Sequence, residues 1–148
     1  MSEHHAKVVW SRNEVDFSYQ TYSRDHIWSF PGGAEVLASA APEFLGSEQR
    51  VDPEKAFIAA LSSCHMLTFL AIAAKKKIVI EAYQDEAAGF LEKNDMGKLS
   101  LTRVVLRPRV IFAQGSAPTR EQLDKLHQSA HENCFIANSV NTKVTIEP

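Results

Sequence analysis

The chain has 148 residues, 45% of them hydrophobic and 23% charged, and its formal net charge is -2. These proportions are typical of a globular protein and exclude disorder along the whole chain, while the near-neutral charge gives no reason to expect a nucleic-acid partner. The length predicts one domain covering residues 1–148. The longest nearly apolar run, residues 66–74, is too short to cross a bilayer, and no leader pattern opens the sequence. We therefore expect no membrane segment and a cytoplasmic location.

The N-terminal part of the chain is predicted to be mostly β-strand. Residues 7–12 are a short β-like run, and residues 15–20 alternate between apolar and polar side chains. A period of two is typical of a half-buried strand. Together these segments predict a β-hairpin that turns at Asn13 and Glu14.

Two further strands are predicted before the first helix. The second strand continues into residues 26–30, and a third follows over residues 34–40. Pro31, Gly32 and Gly33 between them form a strong turn signal. Residues 41–51 contain proline, glycine, serine and charged residues, so we expect a loop there.

The clearest element is a long apolar helix. Asp52 is a suitable N-cap, Pro53 suits the first helical position, and Glu54 favours the positive end of the helix dipole. Residues 55–74 are rich in alanine, leucine and phenylalanine with almost no charge, and three lysines at residues 75–77 end the segment. A helix that is apolar nearly all round must be buried on most sides.

The C-terminal half is predicted to combine strands with a second helix. Strands are predicted over residues 78–85, 90–93, 98–111 and 140–147, with a turn at residues 94–97. Thr119 is the expected cap of a helix that runs to about Asn133. Strands grouped around two helices indicate the α+β class, and their order suggests an antiparallel meander.

Cys64 and Cys134 are the residues most suited to chemistry. Cys64 lies in the middle of the apolar helix, where an inert core cysteine is the simplest interpretation. If Cys64 is a nucleophile, its thiolate needs a cation from another segment, because burial alone would raise the thiol pKa. We favour Arg24, which interrupts an aromatic-rich strand. The other candidates are Arg12, Arg50, Arg103, Arg107 and Arg109.

Two motifs resemble a known family. Asp52-Pro53-Glu54 opens a helix that contains Leu61-Ser62-Ser63-Cys64-His65-Met66, and Ala130-His131-Glu132-Asn133-Cys134 precedes Ala137-Asn138. Both are similar to the two cysteine motifs of the osmotically inducible protein C and organic hydroperoxide resistance protein family (OsmC/Ohr). The resemblance implies an α+β, OsmC-like fold in an intertwined homodimer, with two active sites at the subunit interface. It also implies thiol-dependent peroxidase activity on organic hydroperoxides, without a cofactor.

The resemblance also implies a role for four residues. Cys64 matches the peroxidatic cysteine, Cys134 the resolving cysteine and Glu54 the acidic partner of the family's catalytic arginine, while Arg24 is similar to that arginine. The expected cycle forms a Cys64 sulfenic acid and then a Cys64–Cys134 disulfide, which an external dithiol, such as a lipoyl group, reduces.

Helix geometry bears on the assembly. Glu54 and Cys64 are ten residues apart, about 15 Å along one straight helix. Glu54 should therefore serve the Cys64 of the partner subunit, unless the first turn of the helix is kinked. The substrate pocket is expected to be lined by Phe57, Leu61 and Leu67, which favours large alkyl or aryl peroxides.

Two alternatives remain open from the sequence. A zinc site can be drawn from His127, His131, Cys134 and His65, because the first two lie four residues apart on one helical face. The second alternative is a non-catalytic redox sensor or ligand-binding protein of the same family, in which Ser63 and His65 have removed the peroxidase activity.

Overall fold

The computed structural model describes all of residues 1–148 and divides them into two compact units, Met1–Ala56 and Phe57–Pro148. The first unit contains an antiparallel sheet in the order β1-β2-β3. Its strands are β1 (Lys7–Val9), β2 (His26–Ser29) and β3 (Glu35–Ala38). The predicted turn between β2 and β3 is confirmed by the hydrogen bond from the Phe30 N–H to the Ala34 carbonyl. A short 3-10 helix, Pro42–Phe44, interrupts the predicted loop.

The predicted hairpin at Asn13 and Glu14 is wrong. β1 pairs with β2, and residues 15–20 form no strand. Their alternating aromatic residues instead belong to a cluster in which Phe17 lies 5.8 Å from Trp10 and 5.0 Å from Tyr22, between ring centroids. The alternation of apolar and polar residues over 15–20 thus reflects aromatic packing within a loop and not a β-strand.

The long helix is confirmed as α1 (Pro53–Lys75). The Asp52 carboxylate accepts a hydrogen bond from the Lys55 N–H at 2.8 Å, as an N-cap does. Pro53 begins the helix, where its missing N–H needs no partner. Lys75 ends it, and the cation is favourable at the negative end of the dipole.

The second unit contains two sheets and α2 (Arg120–Glu132). One sheet pairs β4 (Ile80–Asp85) with β7 (Pro108–Phe112), and the other has the order β5-β6-β8. The strands of the latter are β5 (Ala88–Lys93), β6 (Leu99–Leu106) and β8 (Lys143–Ile146). The α+β class is confirmed. Thr119 caps α2 through a reciprocal capping box with Gln122.

The antiparallel meander is only partly correct. β8 runs parallel to β6, and β4 pairs with β7 rather than with its sequence neighbour β5. The predicted strand over residues 98–111 is two strands separated at Arg107, whose backbone N–H donates to the Asp85 carboxylate. Pro108 begins the second of them and has no N–H for a continuing ladder.

Two apolar clusters position α1 in the second unit. Leu61 packs with Val104 and Leu106, and Phe69 packs with Leu126 and Ala130. The first cluster therefore joins α1 to β6, and the second joins α1 to α2. Each contact uses the same face of α1.

Only one face of α1 is buried within the single chain. Its buried residues follow a four-residue spacing: Leu61, His65, Phe69 and Ala73. The exposed residues form another stripe, which contains Ala60, Ser63, Leu67, Ala71 and Ala74. By length and composition alone, α1 is apolar enough to cross a membrane. The prediction of no membrane segment considered only residues 66–74 and not the whole helix. Core helices of soluble proteins meet the same two criteria.

Candidate active site

The two cysteines meet in the second unit. Cys64 is half-buried on α1, and Cys134 is buried just after α2; both are free thiols. Burial raises the pKa of the Cys134 thiol, and the neighbouring Cys64 side chain raises that pKa further. Although 70 residues separate them in sequence, the fold thus brings together the two cysteines that the sequence singled out.

The chain after α2 folds into a tight turn that fixes Cys134. The Cys134 sulfur accepts a hydrogen bond from the Ala137 N–H at 3.5 Å, and the Cys134 carbonyl accepts one from Asn138. The Asn138 side chain also donates to the Glu132 carbonyl at the end of α2. Residues of the second cysteine motif therefore hold the position of its thiol.

Arg24 and Glu54 line one apolar cavity in the first unit. Its volume is about 580 Å³. The remaining walls are mainly aromatic and apolar and include Val8, Trp10, Phe17, Tyr22, Ala40 and Phe44. The structure therefore brings together the second predicted pair of site residues, beside a surface suited to an apolar ligand.

The Arg24 guanidinium is held by backbone carbonyls and an aromatic ring. Its Nη1 donates to the Tyr22 carbonyl and its Nη2 to the Tyr19 carbonyl, both at 2.6 Å. The group also stacks 3.6 Å from the centroid of the Tyr22 ring. Arg24 makes no ion pair in this arrangement, and the two carbonyls take two of the five N–H donors of its guanidinium.

The Glu54 carboxyl lies among acidic neighbours. Burial raises its pKa, and the neighbouring carboxylates of Asp52 and Glu43 raise it further. A cation that approached Glu54 would lower this pKa again and would be held by the local negative charge. Glu54 is therefore suited to bind an arginine.

The competing arginines are engaged elsewhere or lie outside this cavity. Arg50 pairs with Asp25 at 3.4 Å, Arg103 with Glu92 at 3.0 Å and Arg107 with Glu147 at 3.4 Å. Arg12 donates to the Val15 carbonyl. Among the arginines considered from the sequence, only Arg24 lines the cavity with Glu54.

A pair of buried histidines links α1 to α2. His65 Nε2 and His127 Nδ1 are 3.1 Å apart, and the two rings are nearly parallel, at 8°. Burial and the neighbouring His127 and His131 lower the pKa of His65 to about 4. Burial also lowers the pKa of His127 to about 4. No group of three or more histidine, cysteine, aspartate or glutamate residues has an arrangement that could hold a metal ion.

Comparison with known proteins identifies the family. A model of the family described as OsmC-like protein matches residues 46–148. The chain belongs to the OsmC-like family. No curated protein sequence matches it.

Solved structures agree with this family throughout the chain. An OsmC-like protein of unknown function from Vibrio cholerae is 56% identical, with a TM-score of 0.96 and 99% of each chain covered. An organic hydroperoxide resistance protein from Elizabethkingia anophelis is 18% identical, with a TM-score of 0.75 over 99% of this chain and 94% of that one. A protein from Legionella pneumophila described as organic hydroperoxide resistance protein OsmC is 19% identical, with a TM-score of 0.73 over 99% and 96%. The last two likenesses establish the OsmC-like fold alone.

The predicted pocket residues lie in the second unit of this OsmC-like chain. Leu61 is in the core, Phe57 packs against the same core, and Leu67 is 60% exposed. None of the three lines the cavity that contains Arg24 and Glu54. Sequence reasoning missed Trp10 and Phe44 as lining residues, and the only available signal was the general excess of aromatic residues near Arg24.

The histidine pair predicts acid-sensitive stability. Both pKa values are lower in the folded chain than the ordinary value of 6.5. As the pH falls, the imidazoles of the unfolded chain are protonated before those of the folded chain. The contribution of the pair to the free energy of unfolding is therefore fully present above pH 6.5 and is lost as the pH falls towards 4. The expected loss is roughly 3 kcal/mol per imidazole, measured by denaturant unfolding across this pH range.

Charged groups around the pair modify this expectation without reversing it. Around His127, the charges of Asp124 and Asp85 raise the pKa and that of Arg120 lowers it, but burial outweighs them. A variant with glutamine at the exposed His4 and His5 is the control and should keep the wild-type profile. An equal free energy of unfolding at pH 7 and pH 4.5, after correction for carboxylates, would contradict the prediction.

Proposed function

We propose that this OsmC-like protein is a thiol-dependent peroxidase that reduces organic hydroperoxides to alcohols in oxidative stress defence. The observation that supports this most directly is that the fold places the free thiol of Cys134 close enough to the free thiol of Cys64 to change its pKa. Two neighbouring free cysteines are suited to reversible disulfide formation. Such a free pair also fits a reducing compartment, so we propose a cytoplasmic location.

The cycle begins at Cys64. Its thiolate attacks the distal oxygen of ROOH, the O–O bond breaks, and the alkoxide leaves and takes up a proton as alcohol. Cys64 is then a sulfenic acid. The Cys134 sulfur attacks the Cys64 sulfur, water leaves, and a disulfide forms. An external dithiol, for which a dihydrolipoyl group is the proposed class, reduces that disulfide by exchange.

Arg24 and Glu54 would complete the site. Arg24 supplies the cation that favours the Cys64 thiolate, and Glu54 holds the planar guanidinium through a bidentate contact. The Tyr19 and Tyr22 carbonyls use two of the five N–H donors of Arg24, which leaves three for the carboxylate. Because Glu54 and Cys64 share the helix α1, about 15 Å apart, this pair would serve Cys64 of the partner subunit.

The apolar cavity supports a preference for bulky peroxides. Its aromatic lining would bind an alkyl or aryl group better than hydrogen peroxide, which gains nothing from apolar contact. From the second unit, the accessible Leu67 and the partly buried Phe57 would contribute to the apolar surroundings of Cys64, with Leu61 packed behind them.

A steady-state peroxidase assay tests this function. Cumene hydroperoxide and hydrogen peroxide are compared as substrates, each with and without dihydrolipoamide. We expect reductant-dependent turnover with cumene hydroperoxide and much slower turnover with hydrogen peroxide. Absence of turnover with every peroxide would reject the peroxidase and leave a redox sensor or ligand-binding protein as the better description.

The proposed assembly is a homodimer. The exposed stripe of α1 is apolar and contains Leu67, and contiguous apolar surfaces of this kind are typical of subunit interfaces. We expect light scattering at micromolar concentration to give twice the mass of one chain. Leu67→Glu should yield monomers, because it places a charge in the buried interface.

Leu99 provides a matched control for this prediction. It is also a leucine that is 60% exposed, but it lies on β6 rather than on α1. Leu99→Glu should keep the dimeric mass. A wild-type chain that scatters as a monomer would contradict the proposed assembly.

A further inference from the structure

One hydrogen bond joins α1, which carries Cys64, to α2, which ends just before Cys134. His65 of α1 and His127 of α2 are 1% and 3% exposed, and the bond between their rings is the only hydrogen bond between these helices. The rest of the contact is apolar: Phe69, Leu126 and Ala130 form its buried centre, and Ile72 and Leu123 pack against them. His127 also stacks on Phe69, with 4.5 Å between ring centroids.

A buried polar pair constrains two helices more strictly than apolar packing does. After a shift of register, apolar side chains can meet other apolar partners, whereas a buried polar pair cannot be replaced in this way. A slide of one turn, about 5.4 Å, would separate the two imidazoles and leave both buried without a partner. The histidine bond therefore favours one register of α1 against α2.

That register also aligns the thiols. His65 directly follows Cys64, and His127 lies seven residues, about two turns, before Cys134. We propose that His65 and His127 are positioning residues, which hold α1 and α2 in the register that brings the Cys64 and Cys134 thiols together. The inference rests on the proposed function only in taking these cysteines as the redox pair.

Disulfide exchange with glutathione tests the positioning without any peroxide. Oxidised glutathione accepts two electrons and two protons from the protein dithiol, giving the Cys64–Cys134 disulfide and two molecules of reduced glutathione. The fraction of disulfide, read by mass after alkylation, gives the effective concentration of one thiol relative to the other. Peroxidase activity does not enter this measurement, so a failed peroxidase assay and a failed positioning test can be distinguished.

The decisive variant replaces both histidines. In His65→Leu/His127→Leu an apolar pair takes the place of the polar one, so the chain should unfold at the same or a higher denaturant concentration. The effective concentration should nevertheless fall roughly tenfold or more, because the register is no longer fixed. His65→Gln should stay near the wild-type value, since its amide can donate to His127 Nδ1.

Phe69→Leu is the matched control. It removes a stacking partner of His127 from the same cluster without removing a hydrogen bond, so stability should fall while the effective concentration stays near that of the wild type. Should the double variant not fold, His65→Asn takes its place, because its shorter amide cannot reach His127. An unchanged effective concentration in the double-leucine variant, or an equal fall in Phe69→Leu, would overturn the proposal. A wild-type chain that forms no disulfide in this buffer would overturn it as well.

Discussion

Cys64→Ser should abolish turnover of cumene hydroperoxide. A serine hydroxyl at this position remains protonated at neutral pH and cannot form the sulfenic acid on which the cycle depends. We expect a decrease of at least about three orders of magnitude, comparable to the loss of other catalytic nucleophiles. The measurement is the rate at which the variant consumes peroxide in the presence of excess dihydrolipoamide. Wild-type turnover in Cys64→Ser would reject Cys64 as the nucleophile.

Cys134→Ser should behave differently from Cys64→Ser. The first reaction with peroxide should proceed, but the sulfenic acid should persist because no neighbouring thiol resolves it. Dimedone should therefore label Cys64 in this variant, and the mass of the chain should rise by that of one dimedone adduct. If Cys134→Ser instead turns over at the wild-type rate with excess dithiol, the external thiol resolves Cys64 directly and the cycle uses one cysteine.

Local signals in the sequence predicted both helices well. Asp52 and Pro53 define the start of α1, and Thr119 defines the start of α2, because caps depend on hydrogen bonds only a few residues away. The two cysteine motifs were equally informative. Their residues predicted the OsmC-like family, and the fold places the two thiols next to each other.

Contacts between distant segments could not be predicted in the same way. The parallel pairing of β6 with β8 joins residues about 40 positions apart, and the bond between His65 and His127 spans 62. Neither leaves a local pattern. Residues 15–20 show the opposite error, since their period of two came from aromatic packing around Trp10 rather than from a strand.

The orientation of Arg24 was also beyond sequence reasoning. The sequence favoured this arginine for its place among aromatic residues, and it lines the same cavity as Glu54. Its donors nevertheless bind the carbonyls of Tyr19 and Tyr22. Three N–H donors remain for a carboxylate, so pairing with Glu54 does not require these bonds to break. Arg24 variants should affect the chemistry more than the stability, because the loop that Arg24 binds is mostly exposed.

Arg24→Ala should raise the pKa of the Cys64 thiol and slow its reaction with cumene hydroperoxide. A thiol in the middle of a helix receives no help from the dipole. Under the proposed function Arg24 is the cation that favours the Cys64 thiolate, so its loss leaves burial unopposed. A nearby opposite charge typically shifts a pKa by about 1 to 3 units, which predicts a rate at pH 7 that is roughly 10-fold to 1000-fold lower. The thiolate pKa is measured from the pH dependence of alkylation, and the rate by stopped flow.

Two further variants and a control separate charge from geometry. Arg24→Lys keeps the charge but lacks the planar fork that a carboxylate binds, so it should recover only part of the rate. Glu54→Gln should resemble Arg24→Lys, because the arginine remains but loses its ionic partner. Arg12→Ala, at another arginine of the first unit that donates to a backbone carbonyl, should leave both the pKa and the rate unchanged. An unchanged thiolate pKa in Arg24→Ala would transfer the role to Arg50, which lies just before the Asp52 cap.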